Sequence, residues 1–211
     1  MYQRYGKRTL DVMLTLLALF LLSPILMVIA FVVRAKLGVP ILFRQQRPGL
    51  RGTPFMVYKF RTMTDARDAQ GNLRSDNERL TELGRFLRAT SLDELPELFN
   101  VLKGEMSLVG PRPLLMRYNP YFTDEELPRF TVRPGITGLA QVSGRNDLSW
   151  DERIASDVRY VREISLGLDL KIIMQTVGSV LTRQGLQVDP GSTMRDLDEE
   201  RRERANLSSE V

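Results

Sequence analysis

The sequence predicts a mainly helical α+β protein: an N-terminal re-entrant membrane hairpin of helix, break and helix, then a compact cytosolic domain with short strands and interfacial amphipathic helices. Three observations carry this. Val12 to Val33 is an uncharged run of 22 residues with a Ser-Pro pair at its middle and basic residues on both flanks. Beyond Lys36 the apolar pieces shorten and are punctuated by GVP, RPGLRGTP, VGPRP, RPGITG and VSGR. Apolar residues at helical spacing then recur through the later part of the chain.

A chain of 211 residues accommodates one domain plus appendages. It contains no His and no Cys, which excludes imidazole acid/base chemistry, Ser/His/Asp and Cys/His nucleophiles, disulfides and zinc fingers. Catalysis is left to carboxylates, hydroxyls, amines or a hard metal ion. The net charge of +4 conceals an uneven distribution: ten Lys/Arg stand against the single acid Asp11 in residues 1–61, while four Arg meet seven acids from Asp189 onward. A basic front half suits anionic partners such as a membrane surface or phosphates.

As a helix the uncharged run would extend about 33 Å, enough to span a hydrocarbon core of about 30 Å. Pro24 removes the amide that would bond the Phe20 carbonyl, so a kink is expected, and Ser23 can bond back to the freed backbone. Arg4, Lys7 and Arg8 precede the run, and Arg34 and Lys36 follow it. Lys/Arg excess marks the cytoplasmic side, and a hairpin entering and leaving through one leaflet satisfies both flanks. A straight crossing, which strands one basic cluster outside, is the alternative. The organisation expected is therefore a hairpin at 1–36, a catalytic domain at 37–186 and a charged tail at 187–211.

In chain order, Pro40 to Phe43 and Pro54 to Met63 read as short strands, the second alternating Val57, Lys59 and Arg61 against Met56, Tyr58 and Phe60. From alternation alone Lys59 and Arg61 belong to a solvated face. Leu80, Leu83 and Leu87 mark a helix from about Glu78 to Arg88. Leu95, Leu98, Phe99 and Leu102 mark another, ended by Gly104. Its start is either a Ser91/Glu94 capping box or an Asp93 N-cap with Pro96 in the first turn, and both put Asp93 and Glu94 at a helix N-terminus. Trp150 to Ser165 is a mixed-charge helix with Ile154, Val158 and Val161 inward. Leu168 to Arg183 is an apolar helix suited to the core or the membrane surface. The RDLDEERRER tail reads as a solvated helix or a disordered segment.

GxxxxGK[ST] and GxGxxG phosphate cradles are missing, as are nucleic-acid signatures, so nucleic acid is not an expected partner. Adjacent acids at a helix start are commonly dipole complements. As catalysts, Asp93 and Glu94 would serve phosphate chemistry, where Mg²⁺ held by carboxylate and phosphate oxygens offsets anionic repulsion. Arg85, Arg88 and Arg112 are cations near in sequence, and Pro111 and Pro113 fix the backbone on both sides of Arg112.

The stretches YKFRTM at Tyr58, TSLDELPELFNVLKGEMSLVGPRP at Thr90, RPGITGLAQVSGR at Arg133 and DVRYVREISLGLDLKII at Asp157 resemble the bacterial sugar transferase family, the monotopic polyprenol-phosphate phosphoglycosyl transferases, in a minimal short form. The resemblance runs from about Tyr2 to Leu186. It implies transfer of a sugar 1-phosphate from a UDP-sugar to undecaprenyl phosphate with release of UMP, at the cytoplasmic face of the bacterial inner membrane, as the first membrane step of surface glycan or glycoprotein assembly. It further implies a hairpin break at Ser23 and Pro24, with Asp93 as nucleophile forming a covalent phosphosugar intermediate. Glu94, with Asp93, would hold Mg²⁺. Arg112, Arg88, Lys59, Arg61 and Arg145 are the expected phosphate-binding residues, and Asp157 and Tyr160 match the family pattern without an assigned role. The alternative from the residues alone is a membrane-anchored, non-catalytic module binding lipid or a partner.

Overall fold

A computed structural model describes residues 2–144, 148–182 and 195–209. After a short π-helical turn, α1 runs from Lys7 to Leu37 as one helix with Pro24 inside it. The expected break does not interrupt it: the Ser23 hydroxyl donates to the Phe20 carbonyl at 2.9 Å, supplying the hydrogen bond that Pro24 cannot. One stripe of α1, through Asp11, Thr15, Ile29 and Val33, is buried against the rest of the protein. The other faces expose Met13, Leu17, Phe20, Leu21, Met27 and Phe31. By length and composition α1 is able to cross a membrane.

Both ends of α1 are latched to the same body. At the start, Lys7 Nζ lies 2.7 Å from Asp169, Arg8 donates to the Val101 and Leu102 carbonyls at 2.6 and 3.1 Å, and Asp11 accepts from Ser107 Oγ and Leu108 N at 2.8 and 3.1 Å. At the end, Arg61 Nη1 donates to the Leu37 carbonyl at 3.1 Å, and Val33 packs with Phe60 and Leu87. Lys7 and Arg8, read from sequence as markers of a leaflet, thus also dock the helix inward.

An antiparallel hairpin follows, β1 (Leu42–Pro48) against β2 (Pro54–Phe60), in register from Leu42 opposite Phe60 to Pro48 opposite Pro54. The Leu80 stripe makes two helices, α2 (Asp76–Arg79) and α3 (Glu82–Ala89), where one was expected. Leu80 leaves the helix to bridge Met63, and Thr81 restarts it as an N-cap accepting from Gly84 N at 3.0 Å. α4 (Glu97–Lys103) ends at Gly104 in the left-handed region, as the sequence indicates. Its inward side chains are Glu97, Leu98, Asn100 and Val101, whereas Phe99, expected inside, is exposed.

A two-stranded parallel sheet joins β3 (Ser107–Val109) to β4 (Gly135–Thr137), followed by α5 (Leu139–Ser143), α6 (Trp150–Glu163), α7 (Leu166–Thr182) and α8 (Leu197–Ser209). α6 turns Ile154 and Val158 inward as expected, together with Trp150, Asp157 and Tyr160. α7 begins two residues before its expected start, and Arg183, its expected end, lies outside the described residues. Leu166, Leu170, Met174 and Val177 form an exposed apolar face on it. The tail is more than a solvated helix: Leu197 is fully buried with Tyr118, Trp150 and Ile154.

Candidate active site

Asp93 and Glu94 sit on a single 3₁₀ turn, Leu92–Glu94, entered through Ser91 at φ 54°. Pro96 is the N-cap of α4, so neither expected start of that helix holds. The cause is local: Pro96 has no amide with which to extend the bonded ladder back through the acids. The result is a short turn that carries both carboxylates ahead of α4 into a cleft of about 1900 Å³.

Lys59, on β2, reaches this turn from across the hairpin. Its ammonium lies 2.5 Å from Glu94 Oε1 and 3.2 Å from Glu97 Oε1, so the solvated face read from alternation is in fact a wall of the cleft. Arg112 Nη2 reaches the same Glu94 oxygen at 2.7 Å. Arg88 donates to Thr62 Oγ1 at 3.1 Å and lines the cleft near Asp93. Arg61 also lines it, but its guanidinium is engaged by the Leu37, Val39 and Met63 carbonyls and by Asp65. Ser23 and Pro24 lie on α1 directly after Leu22, which borders the cleft. Arg145 falls outside the described residues.

The Arg112 turn is fixed by its backbone. Gly110 and Gly135 approach so closely that a Cβ on Gly135 would stand 2.1 Å from Gly110 N and 2.3 Å from Thr137 O. That contact, together with Pro111 and Pro113, holds the turn against β4. Arg129, 3 % exposed, donates to the Arg112 carbonyl at 2.8 Å and to Asp157 Oδ2 at 2.9 Å. Asp157 therefore acts through Arg129 on the turn. Tyr160 works elsewhere, where its hydroxyl bridges the Val109 carbonyl at 3.0 Å and Asp169 at 2.7 Å, and Asp169 also takes Tyr2 and Lys7.

Electrostatics separate the acids. Burial alone would raise the Glu94 carboxyl, but Arg112 and Lys59 outweigh it and hold that group well below the usual carboxylate range. Burial and then the Glu94 charge push Asp93 up. The same two causes push Glu97 up to about 7. Burial disfavours the Lys59 ammonium, yet Glu94 beside it leaves its pKa above the ordinary value. Among the described residues the Asp93 carboxylate makes no hydrogen bond or ion pair, so the more basic carboxylate of the pair is the unpartnered one.

Among the described residues no group of three or more acids converges as a metal cage. The donor set still suits Mg²⁺, which takes one or two carboxylates and completes its shell with phosphates and water. The ion pairs of Glu94 all fall on Oε1, leaving Oε2 outside them.

Sequence reasoning missed Glu97, Arg129, Arg47 and Arg153. Glu97 stands four residues after Asp93, a spacing that offered a signal. Arg129 carried none, because its role depends on a contact with a backbone carbonyl far along the chain.

The cleft thus joins an unpaired carboxylate, an ion-paired neighbour and several cations, a set suited to an anionic ligand. The profile of the bacterial sugar transferase family matches residues 2–183, and the chain belongs to that family. It is 52 % identical over 181 residues to the "Uncharacterized sugar transferase EpsL" of Bacillus subtilis, covering 86 % of this chain and 90 % of that protein. It is 44 % identical over 187 residues to the "UDP-glucose:undecaprenyl-phosphate glucose-1-phosphate transferase" of Caulobacter vibrioides, covering 83 % and 70 %. The "Undecaprenyl-phosphate galactose phosphotransferase" of Salmonella typhimurium is 38 % identical over 199 residues, covering 86 % of this chain and 42 % of its own. Family membership sets aside the non-catalytic alternative.

Proposed function

We propose that the protein transfers a sugar 1-phosphate from a UDP-sugar to undecaprenyl phosphate through a covalent intermediate on Asp93. The observation that carries this is the free, buried Asp93 carboxylate beside a Glu94 already neutralised by Lys59 and Arg112. An Asp93 oxygen attacks the sugar-bearing phosphorus; the Asp–phosphorus bond forms as the bond to the bridging diphosphate oxygen breaks, and UMP leaves with that oxygen and its electrons. A phosphate oxygen of the lipid then attacks the same phosphorus and displaces Asp93 as a carboxylate, giving the lipid diphosphate sugar. Raised basicity makes Asp93 the better nucleophile, while Arg112, Lys59 and Arg88 offset phosphate charge. Asp93 and Glu94 would hold Mg²⁺, which supplies further neutralisation of the diphosphate when bound.

The seat of the reaction is the cytoplasmic face of the inner membrane, with α1 entering and leaving one leaflet. A straight α1 of this length would reach about 46 Å. The support for a re-entrant path is that Lys7, Arg8 and Asp11 at one end and Arg61 at the other hold both ends on the catalytic body, leaving only the middle free for lipid. The domain division at residues 36 and 186 follows the same reading. The assay is Mg²⁺-dependent UMP release from UDP-glucose and UDP-galactose with undecaprenyl phosphate. Turnover supports the assignment, and the lack of a lipid-linked product with any UDP-sugar contradicts it.

A further inference from the structure

The cations around the dyad are already largely spent. Lys59 and Arg112 pair with Glu94 and Glu97, and Arg88, which donates to Thr62 Oγ1, is held near Asp93. Lys59 and Arg112 are thus shared with protein carboxylates, and an incoming diphosphate with two or more negative charges calls for cations beyond them.

Two further arginines border the same cleft. Arg47, on β1, donates from Nη1 to the Pro113 carbonyl at 3.4 Å and from Nη2 to Gln45 Oε1 at 2.6 Å, which sets its guanidinium against the Arg112–Pro113 turn. Arg153, on α6, donates from Nε to the Leu148 carbonyl at 3.0 Å and lies 5.4 Å from the Trp150 ring. It stands one helical turn before Asp157, whose partner Arg129 holds the Arg112 carbonyl. Among the described residues neither arginine has an ion-pair partner, and both are half-buried. Burial first, and the Arg112 charge second, lower both. Half-buried guanidinium groups without a carboxylate, brought by separate elements toward one fixed arginine, need an anion to balance them.

We propose that Arg47 and Arg153, with Arg112 between their elements, form the seat for the diphosphate of the substrate. The identity of that diphosphate as part of a sugar nucleotide rests on the function proposed above; the anion seat itself does not. Arg112 then has two roles, holding Glu94 with one nitrogen and facing phosphate with the rest, while Arg47 and Arg153 supply charge that no carboxylate among the described residues pairs with.

The test is binding of inorganic pyrophosphate and of UDP to the full chain in detergent, by calorimetry, for wild type, Arg47→Gln, Arg153→Gln, Arg47→Lys and the exposed control Arg85→Gln. Each Gln variant is expected to weaken pyrophosphate binding about tenfold or more, the effect of losing charge-assisted hydrogen bonds. Arg47→Lys should recover part of the loss, Arg85→Gln should match wild type, and thermal midpoints should show each variant folded. Unchanged pyrophosphate affinity in both Gln variants overturns the seat even if turnover is genuine, as does a wild type that binds no pyrophosphate. Pyrophosphate binding that depends on Arg47 and Arg153, without UDP binding or turnover, supports the seat while contradicting the sugar-nucleotide reading.

Discussion

Arg129 donates from one nitrogen, Nη2, both to the backbone carbonyl of Arg112 at 2.8 Å and to Asp157 at 2.9 Å. The pair is nearly solvent-free, with side chains 2 % and 6 % exposed, so removing one partner strands the other charge. Arg129→Met is expected to cost about 3–5 kcal/mol in urea unfolding, and the double variant Arg129→Met/Asp157→Leu to recover part of that. A double variant no better than the single one contradicts a charge-stranding origin. Because the Arg112 turn loses its anchor in both, kcat should remain depressed in the double variant even where stability returns.

Gly135 meets Gly110 backbone to backbone, so no side-chain rearrangement can admit a methyl group there. Gly135→Ala should abolish folding or lower the thermal midpoint severely. Gly167, on α7 with open space around its would-be Cβ, gives the contrast: Gly167→Ala should be neutral or stabilising by up to about 1 kcal/mol. Equal effects of the two substitutions in thermal unfolding would contradict the close approach as the cause.

Glu97 titrates near 7, raised from an ordinary value of 4.5 chiefly by burial and then by Glu94. Between those pH values the folded protein binds more protons at this site than the unfolded chain does, so this group's contribution to stability falls as pH rises through the window. Glu97→Gln removes that dependence. Its thermal midpoint relative to wild type should therefore move in the variant's favour from pH 4.5 to pH 7, whatever the offset from losing the Lys59 contact. A difference that is flat, or that moves the other way, contradicts the assignment.

The C-terminal helix α8 is held by Leu197 in the Tyr118, Trp150 and Ile154 cluster, by the Arg195 carbonyl accepting from Trp150 Nε1 at 2.9 Å, and by Arg201 bridging Glu126 and Asp151 at 2.6 and 2.7 Å. Trp150 is the single tryptophan, so fluorescence reports the surroundings of this one side chain. Deleting residues 195–211 should shift emission to the red and lower the midpoint by several degrees, as expected for losing the burial of one leucine and its neighbours. Unchanged emission would mean that α8 does not cover Trp150.

The Ser23–Phe20 hydrogen bond was legible because a proline's missing amide names the orphaned carbonyl four residues back, and only a neighbouring hydroxyl can reach it. Asp93, Glu94 and Arg112 were legible as candidates for similar local reasons: adjacency, and a turn stiffened by two prolines. Lys59 was not, because a strand's alternation says which side chains share a face but not what covers that face. Arg129 was hidden for the same reason, since its partners lie on other elements; Arg153 was hidden because spacing on a mixed-charge helix does not show which of its charges line a cleft. The late start of α4 escaped because apolar spacing at Leu95 matched a helix that Pro96 postpones. The tail's docking turns on one leucine in a charged segment, too small a signal to separate from a solvated helix.

The central claim is that Asp93 carries the sugar phosphate. Incubating the full chain with UDP-glucose or UDP-galactose and Mg²⁺, with no lipid acceptor, and reading intact mass, peptide mapping and UMP release tests it most directly. A covalent route through Asp93 requires a hydroxylamine- and alkali-labile adduct of one sugar phosphate on that residue, a stoichiometric burst of UMP, and loss of both in Asp93→Asn, with turnover reduced by about three orders of magnitude or more. UMP released only when undecaprenyl phosphate is present, or full turnover retained by Asp93→Asn, would contradict it.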